Sequence, residues 1–232
     1  MKGVDKIYVV NLEKDKERLE AFYKKSPFKK DEVSVLKAIN GYKIEMNDFI
    51  KNLFEGNDFN YRCGVTGCAL SHYYLWKKLA KELDEEMSLA MIFEDDVNFY
   101  EQHDFLDIWN NKVFPTLPNF FDLIYLGGCH HDDTYKRTKN HKNMNVGPNL
   151  CYPFRNIGFG TYSYLMSKKG AKKMVEIADQ WKIKRGIDHV LRNAEMKGMV
   201  IHATVPLLCW SPAAHPDSNV HANMKTLMDN TK

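Results

Sequence analysis

Short apolar runs alternate with longer amphipathic stretches along most of this chain. Lys6–Leu12 is β-branched and aromatic and predicts a strand; Lys14–Lys25 follows with Leu19, Phe22 and Tyr23 at helical spacing. Val33–Ile39 predicts a second strand, stopped by the turn pair Asn40-Gly41. Asn47 is placed to cap a helix running through Phe54, with Gly56 as its stop. From Gly64 to about Leu83, Leu75, Leu79 and Leu83 with Tyr73 and Trp76 form one stripe, so a long helix is expected. The apolar runs ending at Phe93 and spanning Phe121–Leu126 predict further strands, as does Phe159–Met166. Ser167 then caps a helix carrying Ala171, Met174, Val175, Ala178 and Trp181. Ile187–Met196 reads as a short helix ended by Gly198, and Met199–Val205 as the last strand.

Strand–helix alternation of this kind predicts an α/β fold with a mostly parallel sheet. Cys129–Pro153 breaks the pattern, being polar and rich in His, Asn, Lys and Asp. It is too long for a plain connection and is expected to be a mobile loop or lid near a site. With no repeat and no linker, residues 1–217 are expected to form one domain, and residues 218–232 a polar, disordered tail.

Composition narrows the function classes. The 33 basic and 30 acidic residues of the 232-residue chain leave a net charge of +3, which argues against a nucleic-acid partner. Two basic clusters, Lys14–Lys30 and Lys168–Lys173, lie on helix-like segments and read as solvated faces. Five cysteines without a Cys-x-x-Cys pair argue against a zinc ribbon and a disulfide framework, and suit a reducing compartment. Cys68, inside a helical apolar pattern, is expected to be a small buried hydrophobe. The N-terminus lacks the apolar core of a signal peptide, and no apolar run approaches the roughly 18 residues of a membrane span. A cytoplasmic protein without a transmembrane segment is therefore expected, with a catalytic domain cut from something longer as the alternative.

The chemistry concentrates at Glu94-Asp95-Asp96, three carboxylates that end an apolar strand. Ligands in open α/β sheets bind past the carboxyl ends of strands. Three anions there repel one another unless a hard divalent ion, Mg²⁺ or Mn²⁺, is shared with a phosphorylated substrate. If extension continues, Glu94 and Asp96 face one side and Asp95 the other. Glu94 and Asp96 could then both face one metal, or one could hold the ion while the other accepts hydrogen bonds from a ribose; an acidic turn is the plainer alternative. Gly64 and Gly67 at a helix start would let a substrate approach the backbone, with Ser71 and His72 in the next turns. Asn11 and Leu12 end the first strand on the same edge, and Arg18 follows one turn into the next helix, within reach of a pyrophosphate. Asp188 is either a helix-start cap or the general base of a site that activates an alcohol. His215 or His221 could complete a metal shell from the C-terminal side, or be loop histidines.

Several segments in register resemble glycosyltransferase family 25. They are Ile-Tyr-Val-Val-Asn-Leu at 7–12 with Arg18 behind it, Lys-Ala-Ile-Asn-Gly at 37–41, and Gly-x-x-Gly-Cys-Ala-Leu-Ser-His at 64–72 followed by Trp76. Ile-Phe-Glu-Asp-Asp-Val at 92–97, Asp-Leu-Ile-Tyr-Leu-Gly-Gly at 122–128, Gly-Thr-Tyr-Ser-Tyr-Leu-Met-Ser-Lys-Lys-Gly-Ala at 160–171 and Ile-Asp at 187–188 complete the set. One departure is Asn40-Gly41, where the family usually has Asp-Gly. The resemblance implies a GT-A-like single domain with helices on both faces of the sheet. It also implies a UDP-hexose donor, galactose or glucose, a manganese ion with magnesium as substitute, and inversion at the anomeric carbon. A glycan or hydroxylysine-bearing acceptor goes with it, and a homodimer stays open. By the same resemblance Asp188 becomes the candidate base; Asn11, Leu12, Arg18, Gly67, Ser71, His72, Asp95 and Thr161 the candidate donor contacts; and Glu94, Asp96 and His221 the candidate metal ligands. A catalytically silent glycan-binding or scaffold protein with the same fold is the competing class, and should have lost the acidic trio. A metal-dependent phosphohydrolase should carry further Asp, Glu and His clusters at strand ends.

Overall fold

The computed structural model of the protein describes residues 1–101, 104–129, 145–151, 160–211 and 225–228. Its apolar runs become strands because both of their faces find apolar partners. In β1 (Lys6–Asn11) Tyr8 and Val10 enter one core layer while Ile7 and Val9 enter the other. β3 (Leu89–Glu94) divides in the same way, with Ala90 and Ile92 on one side and Met91 and Phe93 on the other. A strand covered twice reads as an unbroken apolar run, which is why these two are plain in the sequence.

The first layer is made by α2 (Asp48–Leu53), α3 (Cys63–Glu82), α5 (Lys168–Trp181) and α6 (Ile187–Asn193), and α3 packs along α5. On the opposite face, Phe22 of α1 (Lys16–Lys25) and Phe105 of α4 (Phe105–Ile108) join Phe28 and Phe93 in an aromatic cluster. Two predicted caps hold: Asn47 Oδ1 accepts from Ile50 N at 3.0 Å, and Ser167 Oγ accepts from Gly170 N at 3.0 Å. Among the described residues, no helix is long and apolar enough to cross a membrane.

β2 (Ser34–Lys37) and β3 flank β1 in parallel, and β5 (Leu123–Tyr125) runs parallel to β10 (Ile201–Thr204). β9 (Ser163–Ser167) sits between β3 and β5 and is antiparallel to both. β8 (Leu150–Cys151) and β7 (Asn145–Gly147) extend the edge beyond β10, again antiparallel. The eight-stranded sheet, ordered β2-β1-β3-β9-β5-β10-β8-β7, is thus mixed where a mostly parallel one was expected. The alternation that predicts parallel neighbours is interrupted between β5 and β9, where the chain first lays down β6 (Gly127–Cys129), β7 and β8.

Three expectations are corrected. The polar Cys129–Pro153 stretch is not all loop, since it supplies β7 and β8; residues 130–144 lie outside the described set. A second sheet, β4 (Asn98–Phe99), β11 (Cys209–Ser211) and β6, was not predicted, because strands of two or three residues carry too little pattern to read. The tail is not uniformly free either. Lys225 O accepts from Cys63 N at 2.9 Å, Thr226 bridges Arg62, and Leu227 is fully buried against the first layer.

Candidate active site

β1 and β3 are parallel neighbours with Val10 opposite Glu94, so Asn11 and the acidic triplet emerge at one edge of the sheet. The chain does not stay extended there. Val97 N donates to Glu94 O at 3.2 Å, closing a turn through Asp95 and Asp96. That turn overrides the strand alternation expected for the triplet: Asp95 and Asp96 share one flank, and Glu94 takes the other.

On the first flank Arg18 bridges Asp95 Oδ1, at close range, and Asp96 Oδ2, at 3.3 Å. Asn11 Nδ2 donates to Asp95 Oδ2 at 2.7 Å and to Asp15 O at 3.0 Å, locking β1 to the start of α1. Burial alone would weaken the Arg18 charge, but Asp95 and Asp96 outweigh it and hold the guanidinium above its ordinary pKa. For Asp95 burial prevails over Arg18 and Asn11, and the carboxyl is raised. Asp96 is raised further, to about 7, by burial first and then by the Glu94 charge, with Arg18 opposing. Its Oδ1 is buried with no hydrogen-bond partner among the described residues.

On the second flank the bonds gather on one carboxylate oxygen. Glu94 Oε1 accepts a close hydrogen bond from Thr161 Oγ1 and faces His72 Nε2 at 3.3 Å. Burial pushes Glu94 up, but the bonds from His72 and Thr161 and the Arg18 charge reverse this and lower it. Behind His72, Trp76 Nε1 donates to the Tyr164 hydroxyl at 3.0 Å, and that hydroxyl lies 3.0 Å from His72 Nδ1. Burial raises the Tyr164 hydroxyl, so it stays a neutral donor. It accepts from Trp76 and pairs with His72 Nδ1, while Nε2 faces Glu94. His72, Tyr164 and Trp76 are all almost completely buried.

The wall of the cleft comes from α3 and the loop after β2. Ser71 Oγ donates to Gly67 O at 2.7 Å and accepts from Ile39 N at 2.8 Å, tying that loop to the helix. A Cβ on Gly67 would stand 2.6 Å from Ile39 O and 2.7 Å from Gly41 N. Gly67 therefore packs backbone on backbone, and it is Gly64 that lines the cleft, with Leu12, Lys14, Arg18, Asn40, Tyr42, Cys68, Ser71, His72 and the acidic triplet. Cys68 corrects an expectation: it is only partly buried and faces the cleft, within 4.8 Å of the ligand atoms of His72 and Glu94. Its spacing of four from His72 on a helix was the signal available in the sequence. Tyr164, the hub behind His72, had no such signal, because only the folded sheet brings it to α3.

Asp188 lies exposed in the first turn of α6, where its charge suits the helix N-terminus, and it makes no side-chain capping hydrogen bond. Its charge reaches the Cys68 thiol, which lines the cleft, and the Tyr125 hydroxyl. His215 and His221 lie outside the described residues. For a divalent cation the donor set fits: hard carboxylate oxygens, one of them buried and unpartnered, beside a cationic Arg18 that can face a phosphate.

The profile of glycosyltransferase family 25, described as an LPS biosynthesis protein, matches residues 4–191. This chain belongs to glycosyltransferase family 25. The family 25 chain is 26% identical over 190 residues to procollagen galactosyltransferase 2 of Homo sapiens, covering 75% of this chain and 28% of that protein. It is 27% identical over 187 residues to a glycosyltransferase 25 family member of Aedes aegypti, with the same coverage. A putative glycosyltransferase of Acanthamoeba polyphaga mimivirus is 27% identical over 177 residues, covering 74% of this chain and 52% of that one. The chain thus spans between about a quarter and a half of the length of these relatives. Among solved structures it is similar to the galactosyltransferase LgtC, bound to donor and acceptor sugar analogs, with a TM-score of 0.44 and 11% identity over 97% of this chain and 94% of that one. At that score the overlap assigns neither donor nor mechanism.

Proposed function

We propose that this family 25 chain moves a hexose, galactose or glucose, from a UDP-sugar to an acceptor hydroxyl on a glycan or a hydroxylysine, with inversion. The observation that carries the reading is Asp96, whose Oδ2 meets Arg18 and whose buried Oδ1 has no hydrogen-bond partner among the described residues. A carboxylate oxygen kept from water and from every described donor is costly as an anion, which raises its carboxyl to about 7, and a cation there would restore the charged form. When bound by Asp96 and Glu94, manganese or magnesium would neutralise charge on the departing diphosphate.

The protein groups divide the remaining work. Arg18, held by Asp95, presents its guanidinium toward the pyrophosphate, and Asn11 fixes Asp95 so that the pair stays in register. Leu12, Asn40 and Tyr42 wall the cleft where the nucleoside would lie. His72 and Thr161 fix Glu94 from behind, and Ser71 and Gly67 hold the wall itself. Asp188, exposed and with its charge reaching the cleft-lining Cys68, takes the proton from the acceptor hydroxyl as its oxygen bonds to the anomeric carbon and the bond to UDP breaks. One base and no covalent intermediate give inversion.

A UDP-release assay with manganese, a panel of UDP-hexoses and glycan and hydroxylysine-peptide acceptors tests this. Transfer should disappear with chelator and with Asp96→Ala. For Asp188→Asn, turnover should drop by roughly 100-fold or more while UDP binding stays within about twofold, in line with loss of a general base. Full transfer in the presence of excess chelator would contradict the proposal.

A further inference from the structure

The second flank of the triplet carries one group to which the transfer reaction gives no role, the Cys68 thiol. Cys68 and His72 stand four apart on one face of α3, and Glu94 faces them from the end of β3. Their Sγ, ring nitrogen and carboxylate oxygen lie within 4.8 Å of one another. His72 Nε2 and Glu94 Oε1 are already 3.3 Å apart, close to the separation of about 3.4 Å between two light-atom ligands of a tetrahedral zinc ion. The imidazole is held from behind by the Tyr164 hydroxyl on Nδ1, the outer partner that metal-bound histidines keep. The cleft supplies an open side for a fourth ligand.

We infer that Cys68, His72 and Glu94 form a second metal site, one for a soft or borderline divalent ion of the zinc class, distinct from the hard-ion position at Asp96. A thiolate and an imidazole select zinc or cadmium over manganese and magnesium, which prefer an all-oxygen set. Binding balances as follows. The Cys68 S–H bond breaks and its proton leaves to solvent as the metal–sulfur bond forms. The imidazole binds as the neutral ring with its proton on Nδ1, where the Tyr164 hydroxyl accepts it, and the Nε2 lone pair faces the ion; a proton held on Nε2 beforehand passes to Nδ1 or to solvent. Glu94 exchanges its His72 hydrogen bond for a metal bond. Burial first, and then the charges of Glu94, Asp188 and Asp96, hold the Cys68 thiol well above its ordinary pKa, and a cation arriving among those three carboxylates would offset their field.

One consequence rests on the proposed function: Glu94 belongs to both sites, so zinc there withdraws it from the hard ion and inhibits transfer. The site itself is tested without donor or acceptor. Stripped wild-type protein is titrated with Zn²⁺ alone by calorimetry, and with Cd²⁺ alone while the thiolate-to-cadmium ultraviolet band is followed. One ion per chain is expected, together with a rise in Tm on zinc addition. Cys68→Ser, which preserves volume, should weaken zinc at least about 100-fold, since losing even an outer partner of a ligand costs about 10- to 100-fold. It should also abolish the cadmium band, whereas Cys63→Ser should keep both signals. No zinc binding by wild type, or equal binding by Cys68→Ser, overturns the site. Manganese and UDP binding, measured separately on the same samples, report on the transferase reading by itself.

Discussion

Glu94 and Asp96 stand two residues apart on one turn, yet their surroundings are opposite. Glu94 is met by a hydroxyl and an imidazole that are themselves braced by Tyr164 and Trp76, and its carboxyl is lowered. Asp96 has one oxygen on Arg18 and one on nothing described, and its carboxyl is raised to about 7. Equal burial thus yields a satisfied anion on one flank and a frustrated one on the other. Stable cores complete their polar groups, and frustration that persists marks where a ligand finishes the structure.

The largest break in this contrast comes from Asp96→Ala. Transfer should fall by roughly 1000-fold or more, the several kcal/mol expected when charge on a leaving diphosphate goes unneutralised. The metal-free variant should fold at least as well as wild type. An active Asp96→Ala protein, or one that unfolds, contradicts the assignment.

Next is Tyr164→Phe, which orphans Trp76 Nε1 and His72 Nδ1 at once. Unfolding free energy should fall by about 2–3 kcal/mol, the cost of leaving buried polar groups unpaired. Denaturant titration checks this, and a loss below about 0.5 kcal/mol would show the hub to be dispensable. Thr161→Val removes the hydroxyl on Glu94 and should cost about 1–2 kcal/mol, while Asn11→Ala on the opposite flank should release Asp95 and lower UDP affinity instead.

The smallest effect sharpens the contrast by pH. Asp96 has a folded pKa above its unfolded value, so its contribution is fully present below pH about 4 and is lost as pH rises through about 7. Glu94 has the opposite sign: its contribution is present above the unfolded value and is lost as pH falls through the lowered folded one. Between pH 5 and 8 the chelated wild type should lose on the order of 1–2 kcal/mol that Asp96→Asn keeps. A chelated Asp96→Asn protein with the same decline as wild type would remove Asp96 from the explanation.

Much of this was legible in the chain, for reasons particular to each part. β1 and β3 announce themselves because both faces are buried, and the caps Asn47 and Ser167 because a helix N-terminus needs an acceptor. The edge shared by Asn11 and Glu94 followed from parallel neighbours. What did not follow was direction. β9 enters antiparallel, and the turn after Glu94 regroups the carboxylates, because both depend on contacts distant in sequence, Arg18 among them. Tyr164 came into the site only through the pairing of β9 with β3. Gly67 was legible as special but for a different reason, as a place where two backbones touch.

The central claim is that Asp96 awaits a cation shared with a nucleoside diphosphate, and calorimetry addresses it most directly. Manganese is titrated into stripped wild-type and Asp96→Asn protein, each with and without UDP. Wild type should bind manganese, and more tightly with UDP present, while Asp96→Asn loses that gain. Absence of manganese binding to wild type under both conditions, or identical binding by the two proteins, would contradict the account.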